Sequence, residues 1–170
     1  MKKLLALVFA LSAGPALACG PSAPLAADVL LSCKIEGRNR VLSVCAANGQ
    51  AYYSYGTPDQ SPELELIIPL RDVEVTPWPG VGGAIWEEMI FTNNDVEYVV
   101  WQSLRRDPEN PEHSGGVNIR EKGTEAEVLL SLTCDPAILF SEAGVFAFSD
   151  AKLANGQKWD LDQHIWVDAQ

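Results

Sequence analysis

Residues 29–45 read Val-Leu-Leu-Ser-Cys-Lys-Ile-Glu-Gly-Arg-Asn-Arg-Val-Leu-Ser-Val-Cys. Two runs rich in β-branched and other apolar residues, 29–35 and 41–45, flank the polar cluster 36–39, in which Gly and Asn favour a turn. The pattern predicts an antiparallel hairpin that carries one cysteine on each strand.

The cysteines of this hairpin are placed to form a disulfide. If the turn is centred on Asn39, Cys33 and Cys45 lie opposite each other, where cross-strand Cβ atoms are about 4.5–5.5 Å apart. A disulfide needs about 3.8 Å between Cβ atoms, so a small adjustment suffices. We therefore expect a Cys33–Cys45 bond, which leaves Cys19 to pair with Cys134. The other two pairings of the four cysteines stay open.

The start of the chain has the layout of a secretory signal peptide. Lys2 and Lys3 precede the apolar run 4–11, and Ala16-Leu17-Ala18 forms a small-x-small cleavage site. The run is too short for a permanent transmembrane helix, which needs about 20 residues. We expect residues 1–18 to be removed and the remainder to be periplasmic or secreted, in oxidising surroundings where cysteines pair.

What remains, residues 19–170, has the length of a single domain. The whole chain carries a formal charge of −11, which becomes about −13 without Lys2 and Lys3. Such a chain is repelled by nucleic acid and by anionic lipid, and it is attracted to a cationic protein. The alternative is that acidic surface residues serve only to keep the protein soluble. The sequence indicates no oligomeric state.

Cys19 follows the cleavage site directly and would carry the lipid in a lipoprotein. Lipoprotein signals usually have Leu three residues before the Cys, whereas Ala16 occupies that position here. Lipidation would also leave an odd number of thiols for pairing. We therefore expect a form without a lipid on Cys19.

Strand signals continue through most of the chain. Period-two alternation, β-rich composition and flanking clusters of Gly, Pro and Asn mark short strands at regular intervals. Seven or eight strands without intervening helices predict an antiparallel β-sandwich or a partly closed barrel. Beyond the first hairpin, these runs lie at 52–55, 63–67, 85–91, 96–101, 117–120 and 126–132.

The pattern changes after Cys134, and we interpret residues 134–170 as an extension packed on the β domain. Asp135 and Pro136 have the order of a helix cap and a first helical residue. A second short helical turn is expected within 149–154. The extension therefore predicts short helical elements near the C-terminus.

Tryptophan and glycine residues form the candidate binding surface. Residues 77–83 combine prolines and glycines, which force a loop, and the hairpin that follows holds two further tryptophans. A rigid loop with aromatic anchors is typical of a protein-binding patch, whereas tryptophans at this place also serve to fill one end of a β core. The candidate residues are Trp78, Gly80, Gly82, Gly83, Trp86 and Trp101.

No pattern in the chain is typical of a metal, cofactor or nucleophilic site. The spacings HExxH, CxxC and G-x-S-x-G are absent, so we expect neither a metal nor a cofactor. Glu87 and Glu88 would face opposite sides of a strand, and His113 falls in the polar segment 106–116, where a solvated loop is expected. We therefore favour binding over catalysis. The alternatives are a small periplasmic hydrolase that uses one of these three side chains, and a structural envelope protein.

Several short pieces in a fixed order resemble a family of small secreted proteobacterial β-proteins without an assigned activity. They include Cys33-Lys34, Val44-Cys45, Tyr53-Ser54-Tyr55-Gly56 and Pro62-Glu63-Leu64-Glu65-Leu66, and similar pieces continue to Cys134.

A weaker resemblance concerns the glycine-rich loop. Pro79-Gly80-Val81-Gly82-Gly83-Ala84 resembles the Gly/Ser-rich loop of periplasmic lysozyme inhibitors, although the serine of those loops is absent. That resemblance implies a small disulfide-containing β-barrel whose loop plugs the cleft of a basic enzyme.

Overall fold

The computed structural model describes residues 19–124 and 127–169. The predicted leader, 1–18, lies outside the described residues. Within the two described ranges, no helix has the length and apolar character needed to cross a membrane.

The described residues form a mainly antiparallel β structure with a short α-helix, α1, at Ala147–Ala154. The strands are Asp28–Ile35 (β1), Val41–Ala47 (β2), Gln50–Gly56 (β3), Leu64–Pro69 (β4), Glu74–Thr76 (β5), Ala84–Asn93 (β6), Val96–Arg105 (β7), His113–Glu121 (β8), Val128–Phe140 (β9), Gln157–Asp160 (β10) and Ile165–Asp168 (β11).

The first nine strands form one sheet in the order β4-β3-β2-β1-β9-β8-β7-β6-β5, and β10 pairs with β11 separately. The sheet curls into a half-barrel. This confirms the predicted mainly β, partly closed architecture, with a short helix near the C-terminus.

The core lies on the inner side of the curled sheet, and alternation along the strands places it there. Tyr53 of β3 is fully buried, and its ring lies 5.4 Å from the ring of Phe91 and 5.5 Å from that of Tyr98. Aromatic contacts at this distance stabilise a core beyond the area they bury. They join β3 on one side of the half-barrel to β6 and β7 on the other.

Two disulfides form, but the expected Cys33–Cys45 pairing is wrong. The hairpin turn lies earlier than Asn39, so that Cys33 faces Leu42 across the strands. Cys45 stands three residues beyond Leu42 and therefore points to the opposite face of the sheet. Cys33 instead bonds to Cys134 within the core, with the Cα atoms 5.6 Å apart.

The second disulfide joins Cys19 to Cys45 on the outer face, with the Cα atoms 5.7 Å apart. Cys19 packs there with Ala23, Val29 and Tyr52 in a small cluster separate from the main core. The bond holds the N-terminal segment against the outside of β1–β3. The Cys19 sulfur is engaged in this bond, and the absence of a lipid on Cys19 stays a prediction.

The predicted helix at Asp135 and Pro136 is also wrong, because β9 continues through both residues. Cys33 of β1 pairs with Leu139, whereas Ile35 pairs with Cys134, so the intervening residues of β9 bulge outward. The Asp135 carboxylate accepts a hydrogen bond from the Ala137 amide at 3.0 Å and stabilises the bulge. Pairing with β1 returns Leu139 to the core, which outweighs the local capping preference.

The sheet has two edge strands, β4 and β5, and they are consecutive in the chain. The connection between them, residues 70–73, can span no more than about 18 Å. The two edges are therefore drawn toward each other, and the half-barrel has a narrow seam where a closed barrel would have a strand pair.

A buried lysine from α1 fastens this seam. Lys152 is 1% exposed, and burying an ammonium is costly unless its hydrogen bonds are satisfied. It donates to three backbone carbonyl oxygens of the seam, those of Leu70, Arg71 and Val73, at 3.0, 3.1 and 3.0 Å.

Replacing this lysine tests its structural role. K152M retains the aliphatic stem but removes the donor from the Leu70 and Val73 carbonyls and leaves Arg71 only a 3.5 Å contact from Gln157 Nε2, so we expect the free energy of unfolding to fall by about 2–4 kcal/mol. Urea denaturation measures the change. K158M, at an exposed position of β10, is the matched control, and its effect should stay within about 0.5 kcal/mol. Equal stability of K152M and the wild type would contradict the assignment.

Non-reducing peptide mapping tests the disulfide connectivity. Trypsin cleaves after Lys34, Arg38 and Arg40, which separates Cys33 from Cys45, but it leaves Cys19 and Cys33 on one peptide. A second protease that cleaves before Asp28 separates these two cysteines. We expect mass spectrometry to find Cys19 linked to Cys45 and Cys33 linked to Cys134. A peptide that links Cys33 to Cys45 would show that the sheet register differs.

Candidate functional site

The loop 77–83 connects β5 to β6 and has a fixed shape. The Trp78 indole Nε1 donates a hydrogen bond to the Val81 carbonyl at 2.8 Å, within the loop itself. Gly80 and Gly82 have φ of +87° and +103°, a backbone region that glycine adopts without strain. Val81 stands at the tip and is 68% exposed. The loop thus presents one apolar side chain on a tightly turned backbone.

Arg106, just after β7, fixes the loop from the side. Its guanidinium lies 5.3 Å from the centre of the Trp78 ring, within the range of a cation–π contact. Its Nη1 donates to the Gly82 carbonyl at 3.4 Å, and its backbone amide donates to the Gly83 carbonyl at 3.0 Å. These contacts hold the loop before any ligand arrives.

The neighbouring loop 106–112 carries three acidic residues. The Asp107 carboxylate accepts hydrogen bonds from the backbone amides of Glu109 and Asn110, at 2.9 and 3.4 Å, which gives the loop a local turn. Glu112 pairs with Arg105 at 2.8 Å. We call 77–83 and 106–112 together the paired loops, and they combine an apolar tip with exposed acid.

The remaining two candidate tryptophans lie on the outer face of the sheet next to these loops. Trp86 of β6 faces Ser103, and Trp101 of β7 faces Glu88 and Gly116, so the two indoles are diagonal neighbours. Trp101 lies across Gly116, where a Cβ would clash with the Leu132 carbonyl. Among the described residues, no pair of contacting rings joins two of the candidate tryptophans. The structure brings them to one corner but does not stack them.

Glu87 and Glu88 face opposite sides of β6, as expected. Glu87 points into the core and is 1% exposed. Its Oε2 accepts hydrogen bonds from the backbone amides of Phe148 and Ser149, each at 3.1 Å. These amides belong to the first turn of α1, whose N-cap residue Phe146 supplies no side-chain bond. Glu87 therefore caps the helix from another element and satisfies two of its free donors.

Burial raises the pKa of Glu87 to about 7, mainly because desolvation disfavours the carboxylate. Hydrogen bonds from Ser149 and Phe148 oppose this increase, and the nearby charge of Asp150 adds to it. A carboxyl with this pKa suits proton transfer near neutral pH, but its accepting oxygen is already engaged by the helix.

His113 lies at the start of β8 and not within the polar loop, which corrects the sequence interpretation. It pairs with Leu104 of β7, and burial lowers the pKa of its imidazole. Its Nε2 lies 3.3 Å from Oε1 of Gln102, a fully buried residue directly opposite Glu87. The sequence interpretation missed Gln102, because an amide within an otherwise apolar strand resembles a surface position.

Glu87, Gln102 and His113 form a row on the inner face of the sheet, which is buried at Glu87 and Gln102 and partly exposed at His113. One cleft of about 420 Å³ lies beside α1, with Asp28 and Asp150 on its rim, and another of about 630 Å³ lies on the outer face of β1–β3. Neither is lined by a member of this row. In the described parts of the chain, no three His, Cys, Asp or Glu side chains are grouped to hold a metal ion.

Comparison of the chain with protein-family models, with curated proteins and with solved structures found no match. The resemblances inferred from short sequence pieces therefore stay predictions.

The pH dependence of stability tests the buried state of Glu87. Its pKa is higher in the folded protein than the ordinary 4.5, so its favourable contribution is complete below pH 4.5 and is lost as the pH rises to about 7. Relative to E87Q, which keeps an acceptor oxygen but does not titrate, the wild type should lose on the order of 2 kcal/mol across that interval. Urea titrations at stepped pH give this difference.

E109Q, at an exposed position in the acidic loop, is the matched control for the removal of one carboxylate. A constant difference in stability between the wild type and E87Q from pH 4.5 to 7 would show that Glu87 is not buried as described.

Proposed function

We propose that this protein is an extracytoplasmic binding protein that captures a basic protein at the paired loops. The observation that carries the proposal is the fixed shape of 77–83, which Trp78 holds from within and Arg106 holds from the side. A loop that is already ordered loses little conformational entropy on binding. Val81 at the exposed tip provides an apolar anchor for a pocket on the partner.

Charge supports a basic partner. The chain carries a formal charge of −11, and the paired loops include Asp107, Glu109 and Glu112, of which Glu112 is paired with Arg105. Complementary charge accelerates encounter with a cationic surface and loses strength as salt screens it. The two disulfides suit an oxidising compartment outside the cytoplasm, where disulfides form and persist in small proteins.

The hydrolase alternative is supported less well. It would use Glu87 or His113, which share the inner face of the sheet, but the Glu87 carboxylate already accepts two helix amides. Glu88 lies on the other face, so the adjacent carboxylates do not form an acid–base pair. A structural envelope protein would need no preorganised loop with an apolar tip.

Binding by immobilised protein tests the proposal, with lysozyme as the defined basic probe and an extract of periplasmic proteins as the wider source. We expect the wild type to retain a basic protein at low salt and to bind it more weakly at about 0.15 M salt, where the Debye length is about 8 Å. V81D should weaken this binding at least tenfold, an order of magnitude typical of an interface anchor.

V128D, which introduces the same change at an exposed position of β9, is the matched control and should bind like the wild type. Failure to retain any basic protein at either salt concentration, or equal retention by V81D and V128D, would refute capture at the paired loops.

A further inference from the structure

The cleft of about 630 Å³ on the outer face lies away from the paired loops. Its floor is formed by β1, β2 and β3, and its walls are the N-terminal segment at Gly20 and the loop 57–62. We call it the serine cleft. Its lining residues are Gly20, Pro21, Ser32, Val41, Ser43, Ser54, Gly56, Thr57, Pro58, Asp59, Gln60, Ser61 and Pro62.

Three serine hydroxyls cross the floor in a row. Ser32 pairs with Ser43, and Ser43 pairs with Ser54, on three adjacent strands, which places successive residues about 4.8 Å apart. Ser43 is 3% exposed, and its Oγ lies 3.2 Å from that of Ser32. A hydroxyl can donate one hydrogen bond and accept two, so this contact leaves most of the capacity of the row unused.

The walls of the serine cleft are fixed by contacts outside it. Glu65 accepts hydrogen bonds from the amide and the hydroxyl of Ser22, at 3.2 and 2.7 Å, and the disulfide of Cys19 holds the same segment. On the other side, the Glu63 amide donates to the Tyr55 carbonyl at 2.9 Å and closes the base of 57–62. The cleft is therefore already formed without a ligand, as small-molecule sites usually are.

The lining specifies the chemistry of a ligand. Asp59 is the one ionisable residue among the lining residues, and none of them is cationic, so an anion would find no counter-charge. A single carboxylate does not supply the ligand set of a metal ion. The hydroxyls of the serine row can exchange hydrogen bonds with the hydroxyls of a ligand. Pro21, Pro58 and Pro62 offer apolar surface to the C–H groups of the same ligand.

From this combination of neutral hydroxyls, apolar walls and size, we propose that the serine cleft binds a neutral saccharide. The volume lies within the usual range for small-molecule sites, about 300–1,000 Å³. The inference does not rest on the proposed capture of a basic protein, because the two surfaces lie on different strands.

Amide chemical-shift mapping by NMR tests the inference with three neutral probes, which are chitotriose, maltotriose and cellotriose. We expect at least one probe to bind with a Kd of about 1 mM or lower and to shift the amides of Ser32, Ser43, Ser54 and Gln60. S43V should weaken that binding at least tenfold, since it removes the central hydroxyl. S131V, which makes the same change at an exposed position of β9, should bind like the wild type.

A second variant covers the case in which S43V does not fold. S54A removes a hydroxyl from a less buried position of the row and should also weaken binding severalfold. No saturable shift with any of the three probes, shifts confined to another surface, or unchanged binding by both S43V and S54A would each overturn the inference.

Discussion

The hydrogen bonds from the Lys152 ammonium to the carbonyls of residues 70–73 are the constraint on which this half-barrel depends. A curled sheet with two free edges leaves unpaired backbone groups that invite association with other strands. Here the two edge strands are joined by one short connection, and Lys152 satisfies three acceptors of that connection at once. Trp166 adds a hydrogen bond from its Nε1 to the Val75 carbonyl of β5, at 2.8 Å. The C-terminal elements α1 and β11 thus contribute directly to closing the half-barrel at its seam.

The helix that carries Lys152 is held at both ends by buried charge of opposite sign. Glu87 accepts from the amides of its first turn, and Lys152 donates from its last turn. Burial raises the pKa of Glu87 to about 7 and lowers that of Lys152 to about 8. The contribution of Glu87 is lost as the pH rises toward about 7, and that of Lys152 is lost as the pH falls from 10.5 toward about 8. Between these values both groups are charged, so neither pKa shift adds to the free energy of unfolding there, and the two groups act through their hydrogen bonds.

Strand patterning predicted the mainly β architecture and the hairpins at 29–45 and 85–101, because alternation reflects which face of a strand is buried. It did not predict the disulfide pairing, since a small displacement of the turn moves Cys45 to the other face of the sheet, and local sequence does not determine that register. At Asp135 and Pro136 the local sequence favours the start of a helix, but pairing with β1 keeps these residues in β9. Local propensity does not include such long-range pairing. Glu87 was recognised as a candidate residue, but its role as the cap of a helix about 60 residues later depends on the tertiary structure.

The distribution of side chains explains why both proposed sites lie outside the barrel. The interior is filled by large rings, among them Tyr53, Phe91 and Phe148, which are almost fully buried. On the same face, Glu87 accepts two amides of α1, and Lys152 of that helix donates to the seam, so these two charged groups are already engaged. Because side chains alternate along a strand, the outer residues of the same strands do not pack against this interior. The disulfide from Cys19 and the contacts of Arg106 then order the segments around those outer positions, which gives the surface the rigidity that recognition requires.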